Sequence, residues 1–265
     1  MKIILSRKGF DSSSGGMPSP IIEDRRFLSL PIPSKNDRIR YADLSYDNDS
    51  YLKIIKDLHP NFQEEHCHLD PDLIESVTPR QNKWEAAFGQ EGAAAGHLDN
   101  QGVDVGDIFL FFGRFRKAAK NDGKYTFVKE EPEIHAIFGY LQVKRVLRDI
   151  DDMKRLLPDH PHSLFYSYNN NRIYLAADKL LTTEHPGAGL FRFNEELVLT
   201  SDGMPASRWK KNFFPKMEYS ISYHSDSSYK DGYFQSAARG QEFIIDADSE
   251  LIQWVEKLSD NYLYR

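Results

Sequence analysis

One cysteine, Cys67, is the whole thiol content of the 265-residue chain. A single thiol closes no intramolecular disulfide and builds no cysteine-rich zinc site, which agrees with a reducing compartment. Long apolar runs are missing as well. The longest, Ile108 to Phe112 and Ile134 to Val143, fall far short of the roughly 20 residues that a spanning helix needs. Met1 to Ser6 turns strand-like after one lysine and has no long apolar stretch, so the expectation is a cytoplasmic protein with no secretory signal and no membrane partner. Excess positive charge is absent too: the formal net charge is −6, and a surface of that sign disfavours non-specific coating of DNA. There is no Gly-x-Ser-x-Gly elbow, His-Glu-x-x-His helix, GxGxxG fingerprint or GxxxxGK[ST] loop, which removes several common enzyme classes. Nothing marks Cys67 as a nucleophile. No repeat, low-complexity tract or linker divides the chain, so one domain over residues 1–265 is expected.

What is present is a core. Seventeen Phe, 14 Tyr and 3 Trp supply large apolar packing units, and 40% of residues are hydrophobic. Met1 to Leu5 reads as a buried strand and Phe27 to Pro31 as a second. Leu52, Ile55 and Leu58 give Ser50 to Leu58 a helical period. Gly89 to Gly106, with five glycines and a run of alanines, is expected to be a loop or a tight approach of backbone to backbone or to ligand. From about residue 106 to 200 the texture is β-rich: Ile108 to Phe115, Tyr125 to Val128, His135 to Val146, Ser163 to Tyr168, Arg172 to Ala176 and Gly189 to Thr200. Asp151 to Leu157 reads as a short helix. Asp248 or Ser249 is positioned to cap a last helix that buries Leu251, Ile252, Val255 and Leu258. The expected fold is α+β: a mostly antiparallel sheet, or a small PUA-like β-barrel, flanked by helices.

Four clusters are richer in polar groups than packing needs. The loop after the first strand carries Arg7, Lys8, Asp11 and Ser12 among small residues, a mixture of cations, hydroxyls and exposed amides that suits a phosphate or another anion. His66-Cys67-His68-Leu69-Asp70-Pro71-Asp72 and Gly96-His97-Leu98-Asp99 share a His-Leu-Asp triplet. If residues 66–70 are extended, His66, His68 and Asp70 share a face, and a His-x-Asp pair with a distant histidine is the ligand set of a non-haem iron triad. Spacing alone identifies no third ligand, so no metal and no other cofactor is assigned at this point. Along Gly106 to Arg116, alternation puts Arg114 and Arg116 opposite Phe115, an arrangement able to hold a stacked base. Arg239-Gly240-Gln241-Glu242-Phe243 joins a guanidinium, an amide and a carboxylate at the start of a late strand. For each cluster the plain structural alternative is a solvated loop, a capping turn, a core strand or a surface pair. Trp209-Lys210-Lys211 and Lys117, Lys120 and Lys124 are local basic spots of the same kind.

The stretches Ser6 to Ser12, Pro18-Ser19-Pro20, His68 to Asp72, Gly96 to Asp99, Gly106 to Arg116 and Arg239 to Phe243 together resemble a family of phages and bacteria, the third type of nucleotide-modification-associated domain. The resemblance spans nearly the whole chain. It implies a role beside enzymes that modify DNA bases or nucleotides, in phage or anti-phage settings, and it implies no defined reaction. The middle segment also looks like the barrels of pseudouridine synthases and archaeosine transglycosylases. The expected function is a nucleotide- or base-modifying enzyme. Arg7, Lys8, Ser12, Arg114, Arg116, Arg239 and Gln241 would hold the substrate, and Asp11, His68, Asp70, His97 and Glu242 would handle protons. The alternatives are a non-catalytic reader of modified bases, or an interaction subunit of a modification system. Expected partners are a nucleotide or modified base, with DNA and other proteins of such a system as further candidates.

Overall fold

The computed structural model describes residues 1–264 other than 24, 81, 165–169, 217–218 and 238–241. Most of the strand expected at 163–168 therefore lies outside the described residues, as do Arg239 and Gln241.

Among the described residues ten strands form one sheet: β1 (Lys2–Arg7), β2 (Ser19–Ile22), β3 (Arg26–Phe27), β4 (Ala87–Gln90), β5 (Ile108–Asn121), β6 (Lys124–Phe127), β7 (Ile134–Leu147), β8 (Arg172–Ala176), β9 (Ala188–Leu190) and β10 (Glu242–Asp246). The main path runs β10, β1, β5, β7, β8, β4, with β2 and β6 also paired to β5, β3 to β2 and β9 to β7. β1 and β2 lie parallel to β5, and the remaining pairings are antiparallel. The sheet stays open, with β10 and β4 at the ends of its path. Of the two expected forms, the mostly antiparallel sheet is the one found, and among the described residues no barrel closes.

Burial explains β5. Its first six residues are enclosed on both faces, as a near-continuous apolar run in a central strand requires, and alternation begins only at Arg114. Phe109, Phe111, Phe112 and Phe115 are each 0% exposed. Full burial of one such ring contributes roughly 1.5–3 kcal/mol. Gly113 has a definite task here: a Cβ on it would lie 2.6 Å from the Lys8 carbonyl oxygen. Lacking one, it lets the chain continue past the end of β1, where the Lys8 amide donates to the Phe112 carbonyl at 2.8 Å.

Among the described residues four helices flank the sheet. In α1 (Tyr51–Leu58) the Ser50 hydroxyl accepts from the Lys53 amide, and Tyr51, Ile54 and Ile55 are buried. α3 (Ile150–Leu156) is capped by Asp149, and α4 (Ser249–Tyr262) by Asp248, with Leu251, Val255 and Leu258 buried. α2 (Gly92–Asn100) is a correction to the sequence reading, which placed a loop there. Its alanines are strong helix formers that outweigh the flanking glycines, and Ala95 and Leu98 bury against the core. Two other expected strands are shorter than their apolar content suggested. Only Arg26–Phe27 and Ala188–Leu190 pair, and Glu195–Leu197 is a 3₁₀ turn.

Candidate functional site

The polar site grows from the β1–β10 register. Ser6 stands opposite Glu242, and two-residue alternation carries Lys8 to the same face as Ser6. Glu242 is 1% exposed, and its Oε1 accepts from Gln90 Nε2 at 2.6 Å, from Ser6 Oγ at 3.1 Å and from Lys8 Nζ at 3.4 Å. Glu242 Oε2 is buried with no hydrogen-bond partner among the described residues. Lys8 Nζ also sits 4.2 Å from the centre of the Phe88 ring, so cation–π attraction helps to hold it on a face from which water is largely removed.

His68 and Asp70 stand beside this node. Residues 66–70 alternate as expected: Cys67 and Leu69 turn into the core, and His68 and Asp70 turn away from it. Burial pushes the Cys67 thiol up, which leaves it chemically quiet. His68 Nδ1 meets Asp37 Oδ2 at 2.9 Å, and His68 Nε2 meets His162 Nε2 at 3.2 Å. Burial lowers the affinity of His68 for a proton, but the hydrogen bond to Asp37 and the charges of Asp70 and Asp37 outweigh it and raise its pKa. His162 is the opposite case, lowered to about 3, first by burial and then by the neighbouring histidines. Asp70 is held at about 2: burial opposes ionisation, and His160, His162 and Lys8 overcome it. Its Oδ1 accepts from the Gly89 amide at 2.6 Å. His160 Nε2 is 3.6 Å from the same oxygen, within ion-pair reach but too far for a hydrogen bond. The ligand atoms of His68, Asp70 and His162 all lie within 4.8 Å of one another, a cluster able to hold a metal ion.

The other expected residues divide. His97 joins the edge of the node: its Nε2 is 3.2 Å from Ser222 Oγ, burial lowers its pKa, and the charge of Glu242 opposes that shift. His66 remains outside, in an isolated bridge with Arg40. Arg7 points to the other face of β1. There it lines a cavity of about 600 Å³ with Asp11, Ser12, Arg114, Glu133 and His135, and its Nη2 donates to the Ala237 carbonyl at 2.8 Å. Burial pulls the Arg7 guanidinium below its ordinary value. Asp11 folds its own loop, with Oδ1 accepting from the Ser13 amide and hydroxyl at 2.7 Å and from the Ser14 amide at 2.8 Å. Arg114 pairs with Glu133. Arg116 closes the β5–β6 hairpin, donating to the carbonyls of Val128 at 2.9 Å and Lys129 at 3.1 Å, away from both clusters. Two of the basic spots are locally neutralised: Lys117 pairs with Glu131 and Lys120 with Asp49.

Residue-by-residue reading missed Gln90, Asp37, His160, His162 and Asn171. His160 and His162 flank Pro161 just after α3, and a His-Pro-His triplet is a visible signal, whereas Asp37 and Asn171 carry no local pattern.

An open, mostly antiparallel α+β sheet with a buried ionisable node at one strand end defines the class of protein. The family described as nucleotide modification associated domain 3 matches residues 2–246, nearly the whole chain. The protein belongs to that family. No curated protein and no solved structure matches the chain.

Proposed function

We propose that this protein is an enzyme that modifies a nucleotide or a nucleobase, with its reaction centre at the Lys8–Glu242 node and the adjoining His68–Asp70 strand. One observation carries the reading: the Glu242 carboxylate has one oxygen with three donors and a second, buried oxygen with none among the described residues. Leaving a buried acceptor unmet costs roughly 1–3 kcal/mol, which is hard to explain as scaffolding and well suited to receiving an N–H or O–H from a ligand. In this reading Glu242 accepts a proton or a base-edge hydrogen bond, and the Lys8 ammonium polarises a carbonyl or meets a phosphate. His68, Asp70 and His97 complete the proton-handling groups. The cavity across β1, with Arg7, Ser12 and Arg114 and ordered by Asp11, takes the anionic part of the substrate. Arg239 and Gln241 keep a substrate role by their position just before Glu242, and Arg116 by its position on β5. The substrate is a free nucleotide or a base in DNA, the chain works as one cytoplasmic domain, and other modification proteins are its candidate partners.

A reader of modified bases needs an aromatic face open to the base. Phe109, Phe111, Phe112 and Phe115 are fully enclosed, which favours the enzyme. The test is product formation from nucleotides and DNA by wild type, Lys8→Met and Glu242→Gln, each checked for fold by circular dichroism. Product should vanish in both variants; turnover undiminished in both would sink the assignment.

A further inference from the structure

We propose that His68, Asp70 and His162 bind a divalent transition-metal ion as a site of two histidines and one carboxylate. The hydrogen-bond partners decide the tautomers. His68 Nδ1 faces Asp37 Oδ2 at 2.9 Å, and a carboxylate there only accepts, so Nδ1 carries the proton. Asn171 is fixed in orientation because its Nδ2 donates to the His162 carbonyl at 2.7 Å. Its Oδ1 therefore faces His162 Nδ1, also at 2.7 Å, and that nitrogen too must donate. Both imidazoles then present lone pairs at Nε2, and these two nitrogens point at each other across 3.2 Å with the Asp70 carboxylate beside them. This cluster of acceptors calls for a shared cation: one proton held between the two Nε2 atoms meets that need in the free protein, and a metal ion that displaces it takes both lone pairs and the Asp70 charge at once.

The dimensions suit a metal. Nitrogens 3.2 Å apart, each bound at about 2.1 Å, subtend an angle of about 100° at the ion, between octahedral and tetrahedral values. The supports also have the form found around metal-bound histidines, whose second ring nitrogen usually donates to a carboxylate or an amide oxygen. Gly89 completes the cradle. Its amide holds Asp70 Oδ1, and a Cβ on it would lie 2.1 Å from the His162 ring. Three protein ligands leave coordination positions open for water or substrate.

Ion uptake needs no nucleotide, so this inference can be judged whatever the reaction proves to be. The whole chain, stripped with a chelator, is titrated with Co(II), Zn(II) and, without oxygen, Fe(II), followed by calorimetry and by the visible Co(II) spectrum. One ion per chain is expected. Affinity should fall at least 10-fold in His162→Ala and Asp70→Asn, and about 10- to 100-fold in Asn171→Ala, which removes only a support. His68→Gln gives the same reading if His162→Ala does not fold. A folded wild-type chain that takes up none of the three ions overturns the proposal. So does uptake that survives loss of His162 and Asp70.

Discussion

Ser6 and Glu242 stand opposite each other across β1 and β10, and the Ser6 hydroxyl donates to the Glu242 carboxylate at 3.1 Å, although 236 positions separate them in the chain. Lys8 and Gln90 reach the same oxygen from the continuation of β1 and from β4.

Removing the cation from this node should cost stability as well as function. Lys8→Met leaves the Glu242 carboxylate buried and without its ion partner, a loss of about 3–5 kcal/mol when a buried pair is broken from one side. Lys8→Met with Glu242→Gln should recover much of that. Urea midpoints of the two singles and the double, set out as a cycle, check it; equal losses in all three would contradict the buried pairing.

Gly89→Ala should destabilise the fold by about 1–3 kcal/mol, because its Cβ meets the His162 ring at 2.1 Å and the ring has to move. Gly96→Ala is the control. In α2 the nearest atom to its added Cβ is 3.4 Å away, and alanine is the better helix former by about 1 kcal/mol. Thermal melting of the two variants should therefore move in opposite directions.

His135 predicts a pH dependence. Burial first, then Arg7 and Arg114, lower its pKa to about 3, and as the neutral ring its Nδ1 accepts from Trp209 Nε1 at 3.0 Å. The unfolded chain takes up this proton near pH 6.5 and the folded chain only near pH 3. Stability is therefore lost as pH falls between those values, by up to roughly 1.4 kcal/mol per pH unit from this group. Against wild type, His135→Gln should show a flatter stability profile over that interval; identical slopes would refute the assignment.

Arg7 and Lys8 are neighbours in sequence but serve opposite faces of β1. Arg7→Ala should raise KM for an anionic substrate at least 10-fold with a smaller change in kcat, whereas Lys8→Met should act mainly on kcat. Steady-state kinetics separates the two, and a shared effect on kcat alone would argue against a binding role for the cavity.

Much of this was legible from local pattern. Alternation of Cys67 and Leu69 against His68 and Asp70 was visible because a strand has a period of two, and the cap at Asp248 because a helix start has a local chemistry. The third member of the triad was not. His162 reaches His68 only through the fold, across 94 positions, and Asn171, which holds His162 in place, has no sequence signature. α2 was misread because glycine content outweighed the alanines between them. The aromatic run of β5 offered two meanings, base platform or core, and only burial from both faces separates them.

The most direct test of the central claim is mass spectrometry of DNA nucleosides and of free nucleotides after incubation with the protein, in the presence of Fe(II), Zn(II) or Co(II), comparing wild type with Glu242→Gln. Wild type is expected to produce a new mass that the folded variant does not. A mass produced equally by both, or none from any substrate pool while the protein still binds a base, would contradict it.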